Sequence, residues 1–252
     1  MAGSNKELAG RVAVVTGAGR NIGRAIALAL ASGGAAVIVN ARSNKTQAEA
    51  VVSEIAAAGG KAMAAIGDVA DAAAVDRMVA AAMARFGRVD HLINNAALRA
   101  EKPLEALTFA DWREVLGATL DGAFHCVKAC LPHLKASGFG AIVNIGGLSA
   151  HVGAKHRAHV ITAKAGLVGF TRALAHDLAA DNITVNCVSP GLMATPRPAN
   201  APEPAHHHTH QTLSGTRGAP EDIATTVRFL CGPGARYITG QTIHVNGGAY
   251  LG

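Results

Sequence analysis

The octapeptide Thr16-Gly17-Ala18-Gly19-Arg20-Asn21-Ile22-Gly23 places three glycines between a β-branched run and an Ala/Leu-rich helix. Glycines at such a turn let the backbone approach a pyrophosphate, and the helix N-terminus offers unbonded N–H groups and the positive end of a dipole. Arg20 lies in the turn, and Arg42 follows the second β-branched run, Val37-Ile38-Val39-Asn40. A second concentration of chemistry is Ser149-Ala150-His151-Val152-Gly153-Ala154-Lys155-His156-Arg157-Ala158-His159, with three histidines and two cations shortly before Lys164. Histidine is the side chain most easily tuned to move a proton near neutral pH. Arg157 and Arg99 together would suit a carboxylate or phosphate on a substrate. His206-His207-His208 and His210 invite a metal, but only Glu203 accompanies them in sequence, so they do not compose a closed ligand set and no metal is assigned.

The elements that must position these residues alternate strand with helix. Strands are expected at 11–16, 37–40, 61–66, 91–94, 141–145, 183–188 and 241–245, and helices at about 22–32, 45–58, 72–86, 112–136, 162–180 and 220–230. About seven apolar strands with helices between them specify an α/β fold: a Rossmann-type, doubly wound parallel sheet with helices on both faces, because parallel neighbours need crossover connections. No polar linker divides the chain, so residues 1–252 read as a single domain. The irregular stretch at about 194–215, rich in Pro and His, is long enough for a substrate loop.

With the glycine turn, Gly67-Asp68-Val69, Asn94-Asn95-Ala96-Ala97, Val188-Ser189-Pro190-Gly191 followed by Thr195, and Val245-Asn246-Gly247-Gly248, the chain resembles the short-chain dehydrogenase/reductase family from Arg11 to its end. It is similar to members of the 3-oxoacyl-acyl-carrier-protein reductase type. The resemblance implies a nicotinamide dinucleotide held by Gly17, Gly19, Arg20, Asn21, Ile22, Gly23, Asp68, Val69, Asn95, Ala96, Lys164, Pro190, Gly191 and Thr195. Asn40-Ala41-Arg42-Ser43 carries no acid to bind a ribose 2′-hydroxyl, while Arg42 and Arg20 can pair with a 2′-phosphate, so NADP(H) is expected over NAD(H). The family's common homotetramer is implied as well.

The same resemblance sets an asparagine, a serine, a tyrosine and a lysine in the reaction centre. Here the frames fall on Thr119, Gly147, Val160 and Lys164, so only the lysine matches. The hydroxyl that protonates a forming alkoxide is missing, and positioned acid catalysis contributes about 10² to 10⁴ in rate. Ordinary ketone reduction should therefore be impaired unless another acid serves. His151 is the first choice, with Lys164 and Thr119 beside it as catalytic candidates and Arg99, His151, Arg157 and Val160 lining the substrate.

Composition excludes several alternatives. No apolar run approaches the roughly 20 residues that cross a bilayer. The first ten residues lack a secretory pattern, and Cys126, Cys130, Cys187 and Cys231 form no CxxC pair, so a cytoplasmic protein without disulfides is expected. The net charge of +6 is spread without interleaved aromatics, which points to an anionic small molecule rather than nucleic acid. Three functions compete: an oxidoreductase of a small, anionic carbonyl, imine or activated C=C substrate; a dinucleotide-binding protein without turnover; and a lyase or isomerase on the same fold.

Overall fold

The computed structural model describes residues 6–195 and 211–252. Glu203, the four clustered histidines and most of the expected substrate loop lie outside them. Strands β1 (Val12–Val15), β2 (Ala36–Ala41), β3 (Lys61–Ile66), β4 (His91–Asn94), β5 (Gly140–Ile145), β6 (Ile183–Pro190) and β7 (Thr242–Val245) form one sheet of order β3-β2-β1-β4-β5-β6-β7. Every pairing is parallel. The chain winds outward from β1 through β2 to β3, then returns to the other side of β1 as β4. That reversal opens a crevice above the C-terminal ends of β1 and β4, where open α/β sheets bind ligands.

Helices cover both faces because strand side chains alternate. Ala13, Val15, Val37, Val39, Ile93, Val143, Ile145 and Val188 meet α1 (Asn21–Ser32), α2 (Lys45–Ala57) and α8 (Pro220–Cys231) in one core. Val12, Val14, Ile38, Leu92, Ile142, Ile183 and Val185 meet α3 (Ala72–Phe86), α5 (Gly122–Ala136) and α7 (Ala158–Leu178) in the other. Each buried Leu, Ile or Val contributes about 1.5–3 kcal/mol. Cys126 and Cys130, one turn apart on α5, are fully buried in the second core, where burial pushes the Cys126 thiol up to about 12.

Two helices differ from the sequence reading. The single helix expected over 112–136 is α4 (Phe109–Leu116), a π-helical turn at Gly117–Asp121, and α5. Thr108 and Asp111 cap α4 reciprocally, which starts it three residues early. Gly122 then lets α5 press on Val69, whose Cγ2 lies 2.6 Å from where a Cβ would stand. Helix α7 begins at Ala158 rather than Thr162, so Val160 and Lys164 share one helix face at i, i+4. A short α6 (Ser149–Val152) precedes it.

Candidate active site

At the crevice, polar side chains tie the glycine turn to β4. Thr16 Oγ1 accepts from the backbone N–H groups of Asn95 and Ala96, both at 3.0 Å, while Asn95 Nδ2 donates to the carbonyls of Thr16 at 2.9 Å and Gly17 at 3.0 Å. Gly17 has φ +60°, and a Cβ on Gly23 would lie 2.2 Å from the Gly17 carbonyl oxygen, so neither position admits a side chain. The turn therefore keeps its backbone bare at the N-terminus of α1, a cradle for a pyrophosphate. Arg20 stands exposed as the residue before α1 and Asn21 opens the helix in the left-handed region. Ile22 is buried beneath them.

Asn40 is a residue the motif reading missed. Its Oδ1 accepts from Gly17 N at 3.2 Å, and its Nδ2 donates to the carbonyls of Ala65 at 3.2 Å and Gly67 at 3.1 Å. A polar side chain closing an otherwise apolar strand was the available signal. It holds the glycine turn and the Gly67-Asp68-Val69 segment in register, where Asp68 accepts from Ala70 N and the Val69 carbonyl meets His125 Nδ1. Arg42 projects from the end of β2 with a guanidinium nitrogen 3.9 Å from a Glu114 carboxylate oxygen, both side chains more than half exposed.

On the other side of the crevice, Gly191 approaches Asn246 so closely that a Cβ would lie 2.6 Å from its Cα. Leu148 N donates to the Pro190 carbonyl at 2.9 Å and Gly191 N to Val245, which fixes the Pro190-Gly191 bend beside β5. Thr195 is the last described residue before the loop, its N–H bonded to Met193 O. Behind the cleft, Asn94 Nδ2 donates to Asn144 Oδ1 and Asn144 Nδ2 to Thr171 Oγ1, a buried chain from β4 through β5 to α7.

Lys164 lies in the floor, buried, with Nζ donating to the Ile145 carbonyl at 2.5 Å. Burial, then the nearby Arg99 and Arg157 guanidiniums, lower its pKa to about 7, with the Cys187 thiol opposing. Cys187 sits at 0% exposure on β6, and Ser189, two residues on and on the same face, has a buried hydroxyl without a partner among the described residues. Neither was singled out from sequence. Arg157, at the start of α7, is 7% exposed, and Arg99 lies in the loop after β4. The structure thus gathers Lys164, Arg99 and Arg157 into one cationic cluster.

The remaining predicted positions are apolar or silent. Val160 is 3% exposed and packs with Val115, Ala163, Leu98 and Leu116. At Gly147 a Cβ would meet no atom within 4 Å. Thr119 is buried in the π-turn, and its Oγ1 has no partner among the described residues. His151 meets the C-terminal strand and turn. Its ring packs 4.5 Å from His244 and 5.4 Å from Tyr250, and burial, His244 and Arg172 lower its pKa. His159 faces Asp111, Arg157 and Lys102 instead.

A family model described as enoyl-(acyl carrier protein) reductase matches residues 17–250. The 3-oxoacyl-(acyl-carrier-protein) reductase of Synechocystis sp. is 42% identical over 247 residues, covering 97% of this chain and 98% of that protein. The chain belongs to the short-chain dehydrogenase/reductase family. As a member of it, it is an oxidoreductase. The BbsD subunit of a hydroxy(phenyl)methylsuccinyl-CoA dehydrogenase from Thauera aromatica is 39% identical, with 96% of this chain and 97% of that protein covered. A solved dehydrogenase/reductase of Sinorhizobium meliloti superposes with a TM-score of 0.92 at 37% identity, covering 98% of both chains. A short-chain dehydrogenase of Burkholderia cenocepacia, solved in complex with NADP, gives 0.89 at 35%, covering 96% of this chain and 99% of that one.

Proposed function

We propose that this chain is an NADP(H)-dependent oxidoreductase with a non-standard active site. Its substrate is a small, anionic molecule whose reduction places no proton on oxygen, an imine or an activated C=C bond. The observation that carries this reading is Val160. The family resemblance sets the proton-donating tyrosine there, and the structure seals the position in an apolar cluster one turn before Lys164. An iminium carbon accepts hydride without an acid, and an activated C=C bond takes its proton on carbon. The cationic cluster of Arg99, Arg157 and Lys164 favours an anionic substrate.

The cradle fits a dinucleotide: Gly17 and Gly23 leave the pyrophosphate turn bare, and Asn95 and Asn40 hold its shape. When bound, the dinucleotide supplies the hydride. Arg42 and Arg20 would pair with a 2′-phosphate, a reading supported by the NADP complex of the Burkholderia relative. Lys164 would hold the nicotinamide ribose, and Pro190, Gly191 and Thr195 would border the carboxamide.

Titration with NADPH and NADH, followed by ketones, cyclic imines and enoyl thioesters, tests the reading by cofactor oxidation. Turnover of imines or enoyl compounds with ketones inert is expected. Binding without oxidation on every class instead favours a dinucleotide-binding subunit. That second reading is supported by the lack of an acid at Thr119, Gly147 and Val160, and by a relative named as a subunit. We further propose a homotetramer and, from four buried thiols without disulfides, a cytoplasmic location. Among the described residues no helix is long and apolar enough to cross a membrane.

A further inference from the structure

Lys164 has chemistry that hydride transfer does not use. Its amine is buried at the end of β5 against the Ile145 carbonyl, and the next residues are Gly146 and Gly147. At Gly147 a Cβ would meet no atom of the described residues within 4 Å, two residues from the amine's acceptor. Val160, one turn away on the same face, offers the amine no hydroxyl, and its neighbours Val115, Ala163, Leu98 and Leu116 keep that wall apolar. Arg99 and Arg157 add positive potential to the same cluster. A desolvated lysine beside other cations is the setting in which an amine becomes a nucleophile toward carbonyl carbon.

We propose that Lys164 Nζ forms an imine with small oxo acids, the carboxylate of the oxo acid being drawn by Arg99 and Arg157. Nζ adds to the carbonyl carbon, and the carbonyl π pair moves to oxygen, which takes up a proton. The nitrogen lone pair then closes the C=N bond as the oxygen leaves with a second proton, so one amine and one carbonyl give one imine and one water. The protonated imine attracts electrons from an adjacent bond. With a β-oxo acid the bond to the carboxylate breaks, its electron pair enters an enamine C=C bond, and the carboxyl carbon leaves as carbon dioxide. Protonation of the enamine at carbon and hydrolysis return Lys164 and a ketone. The net change is one β-oxo acid and one proton giving one ketone and one carbon dioxide, with no redox partner. The lowered basicity of Lys164, at about 7, leaves a large neutral fraction at neutral pH. The proposal shares Lys164 with the reductase reading but needs neither hydride nor bound dinucleotide.

The test uses the full chain without added cofactor, incubated with pyruvate or acetoacetate and then treated with sodium borohydride. Intact mass and peptide mapping should show one reduced adduct per chain, on the peptide containing Lys164. Its formation should rise with pH through about 7, and saturating NADPH should suppress it. Acetoacetate should also release carbon dioxide, and Lys164→Met should remove both signals. Arg157→Gln should lower trapping of pyruvate about tenfold more than that of acetaldehyde, which has no carboxylate. Adduct spread over exposed lysines such as Lys45 and Lys61, or no adduct, overturns the proposal, and mapping on the unaltered chain decides this even if a variant fails to fold. NADPH binding is followed separately by fluorescence. Binding without an adduct sinks the imine and leaves the reductase; an adduct without binding does the reverse.

Discussion

At the scale of single residues, the site is defined by which side chains still carry chemistry. The exposed Arg42–Glu114 pair, at 3.9 Å, contributes at most about 1 kcal/mol and does not prevent Arg42 from meeting a 2′-phosphate. A hydrogen bond to a charged group contributes about 1.5–3 kcal/mol, so Arg42→Ala should lower the NADPH/NADH affinity ratio about tenfold or more. An unaltered ratio in the folded variant would make Arg42 a surface charge only. Gly147 has room for a serine, whereas a tyrosine at 160 must leave the apolar cluster, at about 1–3 kcal/mol of stability. Gly147→Ser with Val160→Tyr should nonetheless raise ketone reduction by about 10² or more, because both restored groups act on the carbonyl oxygen. Flat ketone activity in that variant would mean that the cleft is built around a different reaction. His151, seated between His244 and Tyr250, should tolerate replacement by Ala with turnover altered less than about threefold, since its ring is engaged in those packing contacts. A loss near 10² with an altered pH profile would return the proton to His151.

At the scale of elements, the base of β4 is the stress point of the sheet. Asp90 is fully buried; burial opposes its charge, but hydrogen bonds from Arg88 at 2.6 and 2.8 Å, Arg11 at 2.8 Å and Val12 N at 2.9 Å outweigh it and lower its pKa. These bonds fasten β1 to β4. Next to it His91 is wholly buried with neither ring nitrogen hydrogen-bonded among the described residues, and burial lowers its pKa to about 4. As pH falls, the unfolded chain binds a proton at this histidine near its ordinary 6.5 while the folded chain resists until about 4. Stability from the neutral ring is thus complete above about 6.5 and is lost between there and about 4. The shift corresponds to up to about 3 kcal/mol at about 1.4 kcal/mol per pKa unit. His91→Leu should therefore flatten urea-unfolding stability across this window and stabilise most at its acid end. The same slope in wild type and variant would place the acid sensitivity elsewhere. Asp90, with a lowered pKa, holds its contribution above its unfolded value and loses it at lower pH, below the His91 window.

At the scale of the whole molecule, two grooves carry exposed aromatics. A groove of about 700 Å³ lies between α5 and α7, lined by Leu120, Phe124, Gly166 and Phe170. On the opposite side, a groove of about 690 Å³ runs between α1 and α8 beside Leu28 and Phe229. Exposed aromatics on contiguous faces mark association sites, and two such faces per chain are what a tetramer with two-fold axes requires. In the proposed tetramer, Phe124→Glu should reduce the solution mass measured by light scattering from four chains to two while leaving NADPH binding in place. A variant that keeps the full mass would move the interface off the α5–α7 face.

The sequence by itself determined the alternation of strands and helices and the cofactor turn, because both are written locally. Apolar period fixes strand or helix, and a Gly17 or Gly23 is needed wherever backbone must lie bare against backbone. The expectation that Val160, Gly147 and Thr119 depart from the family frame also comes from the sequence. Tertiary structure decided what local pattern cannot carry: the π-turn that divides α4 from α5, the seating of Asn40 beneath the glycine turn, and the neighbours of each buried charge. His151 and Lys164 are only 13 residues apart, yet one turns to His244 and Tyr250 on the C-terminal edge and the other to Arg99 and Arg157. Side chains from distant segments meet only when helices pack on the sheet, and burial among those neighbours, rather than residue type, sets the basicity of Lys164 and His91.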